Sequence, residues 1–240
     1  KGDSGGNREG DSGGKSGGEG YFYSDIFDRR WESGVDEGVR FDDAPREALA
    51  CVDATSHVYQ MVDRAAAWAE QLGEDHARLA DRAAALRDFI REKLYCPETG
   101  FFHDIWSVED ASRRPMAIEG MWPMVVGAAT AAQAMSVIDG HLLHPDRFFT
   151  EHPVSSVACI DKAFSLRMWR GPTWNSMTYW AAWGAMRYGR SDAAARLLER
   201  ALDASAKVFA GTGTIWEFYH PTGGSPTDLQ RKPHTPYNAP

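Results

Sequence analysis

Two stretches in the first half of the chain carry apolar residues at helical spacing. In residues 46–72 these positions are Leu49, Val52, His57, Met61, Ala65 and Trp68. In residues 75–94 they are Leu79, Ala83, Leu86, Ile90 and Leu94. The pattern predicts two amphipathic helices, and Gly73 is a plausible end for the first because glycine readily takes the left-handed conformation of a helix C-terminus.

The middle of the chain is predicted to be less regular. Residues 96–100 (CPETG) are typical of a turn, and a short extended piece is expected at 101–106. A helix or helix pair is expected over about 122–139, and the stretch after it, which contains prolines, is expected to be a long loop.

The last third of the chain returns to long helices. A helical hairpin is expected over 173–188 and 192–209, in which Gly189 ends the first member and Ser191 is the N-cap of the second. Strands do not alternate with helices along the chain, which disfavours a doubly wound sheet. The pattern predicts an all-α fold, a toroid built of helical hairpins.

Both ends differ from this helical body. Residues 1–20 are rich in Gly and Ser and carry no apolar side chain, so we expect a flexible tract whose deletion costs little stability. The GDSGG segments within it echo a serine-protease motif but lack the buried strand that this motif needs. Residues 231–240 are loop-like. Because both ends look cut, we expect a fragment of a longer protein, in which residues 21–240 form part of a catalytic domain.

Composition narrows the possible functions. The chain has 34 acidic and 26 basic residues and a net charge of -8, which disfavours a general nucleic-acid binder. The most apolar window, residues 120–132, is too short to span a membrane. The three cysteines form no CxxC pair and suit a reduced, cytoplasmic chain.

Aromatic residues are abundant: nine Trp, eight Tyr and eleven Phe. Such residues either fill a core or offer a flat face to a ligand such as a sugar ring. Three loops combine Trp and Gly with carboxylates or Arg, namely 31–43 (WESGVDEGVRFDD), 169–175 (WRGPTWN) and 216–224 (WEFYHPTGG). Two carboxyl groups in different surroundings are the minimal equipment for cleaving a glycosidic bond.

The segments ESGVD, RGPTW and WEFYHPTGG resemble, in this order, motifs of glycoside hydrolase family 63 and the related trehalases. The resemblance covers about residues 21–240 and is closest to bacterial glucosylglycerate and mannosylglycerate hydrolases. It implies an (α/α)6 toroid that is incomplete in this chain, because the family's first half-barrel lies upstream of ESGxD. It also implies hydrolysis of an α-glycosidic bond with inversion.

The resemblance also implies roles for individual residues. Asp36 matches the general acid and Glu217 the general base. The residues expected to bind the sugar are Trp31, Glu32, Arg40, Trp169, Arg170, Trp174, Trp216 and Tyr219. Val35 stands where the family usually has Trp or Met, which changes the shape of the pocket but not its chemistry.

Each of these assignments has a structural alternative. Asp36 could cap a helix or pair with Arg40, and Glu217 could belong to a buried ion pair. Glu32 could either hold a substrate hydroxyl or accept backbone N–H groups and fix its loop.

Other residues are open to more than one interpretation. Arg170 could pair with Asp161, and Asp104 is expected to lie behind the site. His141 and His144 have spacing that would allow metal binding, but no third ligand is evident, so we expect a satisfied surface pair and no metal or cofactor.

The function has two alternatives as well. Within the same class it is a trehalase or an oligosaccharide α-glucosidase. In a different class it is a truncated, non-catalytic fragment that binds sugar. In each case the expected partner is a small carbohydrate, and the oligomeric state is left open.

Overall fold

Helices dominate the structure, a computed structural model that describes residues 20–46, 49–232 and 235–236. The α-helices in these residues are α1 (Val52–Leu72), α2 (Ala77–Lys93), α3 (Ile105–Glu109), α4 (Trp122–Val125), α5 (Ala131–Val137), α6 (Asn175–Arg187) and α7 (Ser191–Thr212). Shorter turns of 3-10 helix lie at Val39–Phe41, Ala111–Arg113, Ile118–Met121 and Pro226–Asp228, and one π-helical turn lies at Ile138–Leu142. The expected all-α class is confirmed.

The two helices predicted in the first half are present as α1 and α2, which pack along each other. Gly73 ends α1 in the left-handed conformation, with φ of 74°. The first helix begins at Val52, later than expected, where the Asp104 carboxylate accepts the Val52 N–H at 2.9 Å. This contact satisfies one of the backbone donors that a helix start leaves without an intrahelical partner.

The buried face of α1 differs from the apolar stripe in the sequence. Met61 and Trp68 belong to that stripe but are 70% and 63% exposed. Tyr59 and Ala66 are buried instead. Periodicity identifies a helix, but the inward face depends on its neighbours, which for α1 are chiefly α2 and α4.

The predicted C-terminal hairpin is present as α6 and α7, which also pack along each other. Ser191 is not the N-cap: it is the first residue of α7, and Arg190 precedes it. The Arg190 guanidinium donates to both Asp192 and Asp139, and these ion pairs accompany the start of the helix.

Between the two helix pairs, the predicted turn at residues 96–100 joins two short strands, β1 (Tyr95–Cys96) and β2 (Phe101–Phe102), which pair antiparallel. The expected helix pair follows as α4 and α5. A second antiparallel pair, β3 (Gln230–Lys232) and β4 (Thr235–Pro236), lies in the C-terminal stretch that was expected to be a loop.

The main apolar core lies between α1, α2, the first strand pair, α4, α5, α6 and the first half of α7. A smaller apolar cluster lies among the loops that carry the three sequence motifs. No helix in the described residues is long and apolar enough to cross a lipid bilayer. The Gly/Ser-rich tract lies outside the described residues except for Gly20, so its mobility stays a prediction.

Candidate active site

The first motif loop is a series of tight turns. The N–H of Glu37 donates to the carbonyl of Arg30, and that of Gly38 donates to Val35. Arg30, Gly34 and Glu37 all have positive φ, and only Gly34 reaches that region without steric cost. The loop then enters the 3-10 turn Val39–Phe41, so that Asp36 lies in a segment of hydrogen-bonded turns.

Glu32 fixes the start of this loop. Its carboxylate accepts hydrogen bonds from the N–H and the hydroxyl of Ser24, both at 2.7 Å, and from the N–H of Asp25. The bond from the Ser24 hydroxyl is the main reason that the pKa of Glu32 lies below its ordinary value. Of the two roles left open for Glu32, these contacts favour the structural one over a bond to substrate.

Arg40 lies inside the protein, with 4% of its surface exposed. Its guanidinium donates to Asp53 and Asp104, and its Nε lies 2.9 Å from Glu119. The structure therefore places the Arg40 guanidinium among protein carboxylates. Asp104 lies against Arg40 of the first motif loop, and its place behind a sugar site stays a prediction.

The second motif loop is organised by two stacked tryptophans. The rings of Trp169 and Trp174 are parallel within 3° and 3.8 Å apart, and both residues are buried. The Trp174 indole N–H donates to the carbonyl of Met168. Trp174 therefore lies among loops and not between helices.

Arg170 ties the second loop to the first. It donates to the carbonyl of Glu37 at 3.0 Å and to the Asp42 carboxylate. The alternative pairing with Asp161 is not seen, because that carboxylate accepts backbone N–H groups from Met116 and Ala163.

The third motif loop pairs with the second through the backbone. Thr173 and Tyr219 exchange two N–H to carbonyl hydrogen bonds of 2.9 Å each. Tyr219 is 2% exposed and its ring lies against His152, so it is an internal support more than a surface for ligand. Glu217 accepts a hydrogen bond of 2.8 Å from Arg231, and its side chain is 40% exposed, so it does not form the buried ion pair considered above.

The remaining aromatic candidates lie at the loop edges. The Trp216 indole donates to the hydroxyl of Thr212 at the end of α7. Trp31 is 47% exposed, with the guanidinium of Arg29 5.7 Å from its ring centre. Both side chains retain surface that a ligand can contact.

The three motif loops meet in one apolar cluster. Its buried members are Val35, Met168, Trp169, Trp174, Phe218 and Leu229, with Trp216 packed against them. Val35 precedes Asp36 in the chain, and Phe218 follows Glu217. The two candidate catalytic carboxylates therefore lie on segments that pack against the same pair of tryptophans.

A charged depression of about 300 Å³ lies beside this cluster. Its lining residues are Asp28, Arg29, Arg30, Glu37, Asp42, Arg167 and Arg170. Sequence reasoning missed Arg167, which pairs with Glu37, and Arg231, which pairs with Glu217. No local signal marks either residue, because each ion pair joins two separate segments of the chain.

One group in the described part of the chain has the spacing of metal ligands: Cys51, Asp53 and Asp104. Two of its members already bind the cationic Arg40, so the arrangement fits a guanidinium better than an additional metal ion. The expectation of a surface histidine pair is wrong for His141, which is buried in the π-helical turn with Nε2 2.9 Å from the carbonyl of Thr99. Burial lowers the pKa of His141 to about 4.

Comparisons with known proteins agree with this architecture. Residues 15–238 match the family described as the mannosylglycerate hydrolase MGH1-like glycoside hydrolase domain. A curated mannosylglycerate hydrolase from Rubrobacter radiotolerans is 28% identical over 160 residues, which are 65% of this chain and 35% of that protein. The chain thus spans about a third of the length of this relative.

Two solved structures share the fold. The GH63 mannosylglycerate hydrolase from Thermus thermophilus, in complex with glucose, superposes with a TM-score of 0.61 at 21% identity, over 76% of this chain and 41% of that one. The neutral trehalase from Saccharomyces cerevisiae gives a TM-score of 0.63 at 20% identity, over 74% and 35%. These likenesses confirm the fold expected from the sequence, that of the (α/α)6 toroid enzymes.

Proposed function

The chain belongs to the MGH1-like glycoside hydrolase family, and from this premise we propose that it carries the catalytic carboxylates of an inverting α-glycosidase. Asp36 is the general acid that protonates the leaving oxygen, and Glu217 is the general base that activates water. The observation that carries the proposal is the meeting of the three motif loops on Trp169 and Trp174.

The proposed reaction needs two carboxyl groups with different duties. The acid must hold a proton when substrate arrives, and the base must be ionised to take a proton from water. Arg231 donates to Glu217 and so orients this carboxylate. Inversion further requires that the two carboxyl groups stand roughly 6.5–9.5 Å apart, so that a water molecule fits between the base and the anomeric carbon.

The proposed substrate is a small α-glycoside of mannose or glucose. Its support is the family of the chain and the mannosylglycerate hydrolase activity named for its relatives. Trp216 and Trp31, which keep exposed surface, are the proposed apolar contacts for the sugar, and the Trp169–Trp174 pair supports them from inside.

A second candidate is hydrolysis of trehalose or another α-glucoside. The observation in its favour is the structural likeness to the yeast neutral trehalase. Turnover of mannosylglycerate, glucosylglycerate, trehalose and kojibiose under identical conditions separates the candidates.

The test of mechanism combines product analysis with two variants. The sugar first released from an α-glycoside should be the β anomer by NMR, whereas an α product would mean retention and make Glu217 a nucleophile. Asp36→Asn should spare substrates with good leaving groups more than natural glycosides, because such groups need little protonation. Glu217→Gln should abolish hydrolysis of both kinds.

Matched controls for these variants lie on the helix surface. Asp63→Asn at a half-exposed position of α1 and Glu199→Gln at an exposed position of α7 make the same chemical changes and should keep full activity. If the unmodified chain binds these sugars in calorimetry but releases no product, the non-catalytic alternative holds instead.

A further inference from the structure

Arg40 lies four residues after Asp36 and is surrounded by carboxylates. Its guanidinium lies 2.6 Å from Asp53, 2.9 Å from Asp104 and 2.9 Å from Glu119. All four side chains are at most 3% exposed. Burying these groups beside a proposed catalytic loop carries a large desolvation cost, because each buried charge must be compensated by its partners.

The three carboxylates come from separate parts of the helical body. Asp53 lies in the first turn of α1, Asp104 directly precedes α3, and Glu119 lies in the 3-10 turn Ile118–Met121. The planar guanidinium can bind several acceptors at once in fixed directions. Arg40 therefore ties the first motif loop to three elements of the scaffold.

The backbone between Asp36 and Arg40 is held in tight turns. Two consecutive turns are closed by hydrogen bonds, from Gly38 to Val35 at 3.1 Å and from Phe41 to Gly38 at 3.2 Å. A Cβ added at Gly38 would lie only 3.3 Å from Oε1 of Glu119, so the turn lies directly against the cluster. A shift of the guanidinium would consequently move the segment that holds Asp36.

We propose that Arg40 is a positioning residue, which sets the place of the Asp36 carboxyl group by locking its loop to Asp53, Asp104 and Glu119. The inference rests on the proposed role of Asp36 as general acid, and Arg40 itself does not touch the substrate. Misplacement of a reacting group by about 1 Å can cost on the order of 100-fold in rate.

The test uses variants that weaken the contacts between Arg40 and the three carboxylates without removing either side of the cluster. Arg40→Lys keeps the positive charge but loses the planar group of several N–H donors. Asp53→Asn keeps the shape of one partner but removes its charge. Asp63→Asn, the same change at a half-exposed position on the same helix, is the matched control. Circular dichroism and melting curves identify which variants are folded.

The kinetic readout compares two leaving groups. For a glycoside with a poor leaving group, Arg40→Lys and Asp53→Asn should lower kcat by about 10-fold or more, with KM little changed. For a glycosyl fluoride, which needs little acid assistance, kcat should fall by less than about threefold. An equal fall for both substrates, or no fall for either, would overturn the inference.

Hydrogen exchange supplies a readout that does not depend on turnover. Amides of residues 36–41 should exchange faster in Arg40→Lys than in the unmodified chain, while those of α6 and α7 stay unchanged. If exchange rises in this way but the unmodified chain hydrolyses no glycoside, the anchoring is supported and the proposed function fails. Unchanged exchange at residues 36–41 in a folded variant refutes the anchoring.

Discussion

Trp174 is held by residues from several directions. Its ring stacks on Trp169, lies 4.9 Å from the ring of Phe218, and its indole N–H donates to Met168. A side chain with these contacts contributes to stability through its buried area and also fixes the second and third motif loops relative to each other.

Replacing this ring should affect both properties. Trp174→Ala is expected to lower the free energy of unfolding by about 3–5 kcal/mol, the usual cost of removing a buried aromatic side chain. It should also lower turnover, because the third motif loop, which packs against this ring, carries Glu217. Urea unfolding and steady-state kinetics measure the two effects. Trp183→Ala on α6, where the ring is 46% exposed, is the control and should change both far less.

Glu119 lies in surroundings that are unfavourable for an ionised carboxyl group. It is buried beside two further acids, and only Arg40 supplies positive charge among the partners described for this cluster. Burial raises the pKa of Glu119 to about 7 and that of Asp104 to about 6, against the attraction of Arg40, which lowers both. A proton on Glu119 near neutral pH therefore offsets part of the excess negative charge.

The raised pKa of Glu119 predicts a pH dependence of stability. Between its ordinary value near 4.5 and about 7, the folded protein binds more protons at this group than the unfolded chain does. The free energy of unfolding should thus fall as pH rises through this window, by about 1–3 kcal/mol. Glu119→Gln, which mimics the protonated form, should flatten the melting temperature between pH 5 and 7, leaving the smaller contribution of Asp104. Glu199→Gln should leave the slope intact, and an unchanged slope in Glu119→Gln would refute the assignment.

At the scale of secondary structure, the first turn of α1 and the rest of the helix make different kinds of contact. Its first turn binds the loop that carries Asp36, through Asp53, and its middle packs on α2 and α4. From Met61 to its end, the helix turns Met61, Trp68 and Leu72 outward, each more than 60% exposed.

Two aromatic substitutions in α1 test this division. Tyr59→Ala should cost about 3 kcal/mol, because the ring is 6% exposed in the main core. Trp68→Ala should change stability by no more than about 0.5 kcal/mol, because its ring is 63% exposed. Chemical denaturation of both variants provides the comparison. A larger loss for Trp68→Ala would mean that the opposite face of α1 is the buried one.

Helices were predictable from the sequence where local signals specify them. Periodicity and the glycines at 73 and 189 located both long helix pairs to within a few residues, except at the start of α1. The inward face of α1 was not predictable, because its stripe includes Trp68 and Met61, and only tertiary contacts decide which apolar residues are covered. Ser191 has the chemistry of an N-cap, but the ion pairs of Arg190 lie at that end.

For the molecule as a whole, long-range charge pairs connect the candidate site. Arg170 and Asp42 are 128 positions apart in the chain, and Arg40 and Asp104 are 64 apart. The motif residues could be named from the sequence because they lie in short, recognisable segments. The partners could not be named, because a carboxylate far away along the chain has no local feature that identifies which arginine it binds.

The cysteines give a test of the whole fold. Cys51 and Cys96 are buried and Cys159 is half-buried, and burial raises the pKa of Cys159 above its ordinary value. A thiol reagent at pH 8 should therefore modify no more than one cysteine of the native chain, slowly, and all three in denaturant. Cys159→Ser should abolish the native reaction. Rapid modification of two or three thiols without denaturant would contradict the packing described above.

The stacked tryptophans also allow loop movements to be followed by the intrinsic fluorescence of the chain. Indole fluorescence responds to solvent and to neighbouring rings, and a dissolved quencher reaches exposed rings such as those of Trp68 and Trp183 far more readily than this buried pair. The emission that survives quenching should therefore come largely from the enclosed rings of Trp169, Trp174 and Trp106, and Trp106→Phe would remove the contribution from outside the pair. Since Trp169 and Trp174 contact all three motif loops, a spectral change in this residual light upon mixing with a sugar would follow the movement of the loops in real time, without an attached dye.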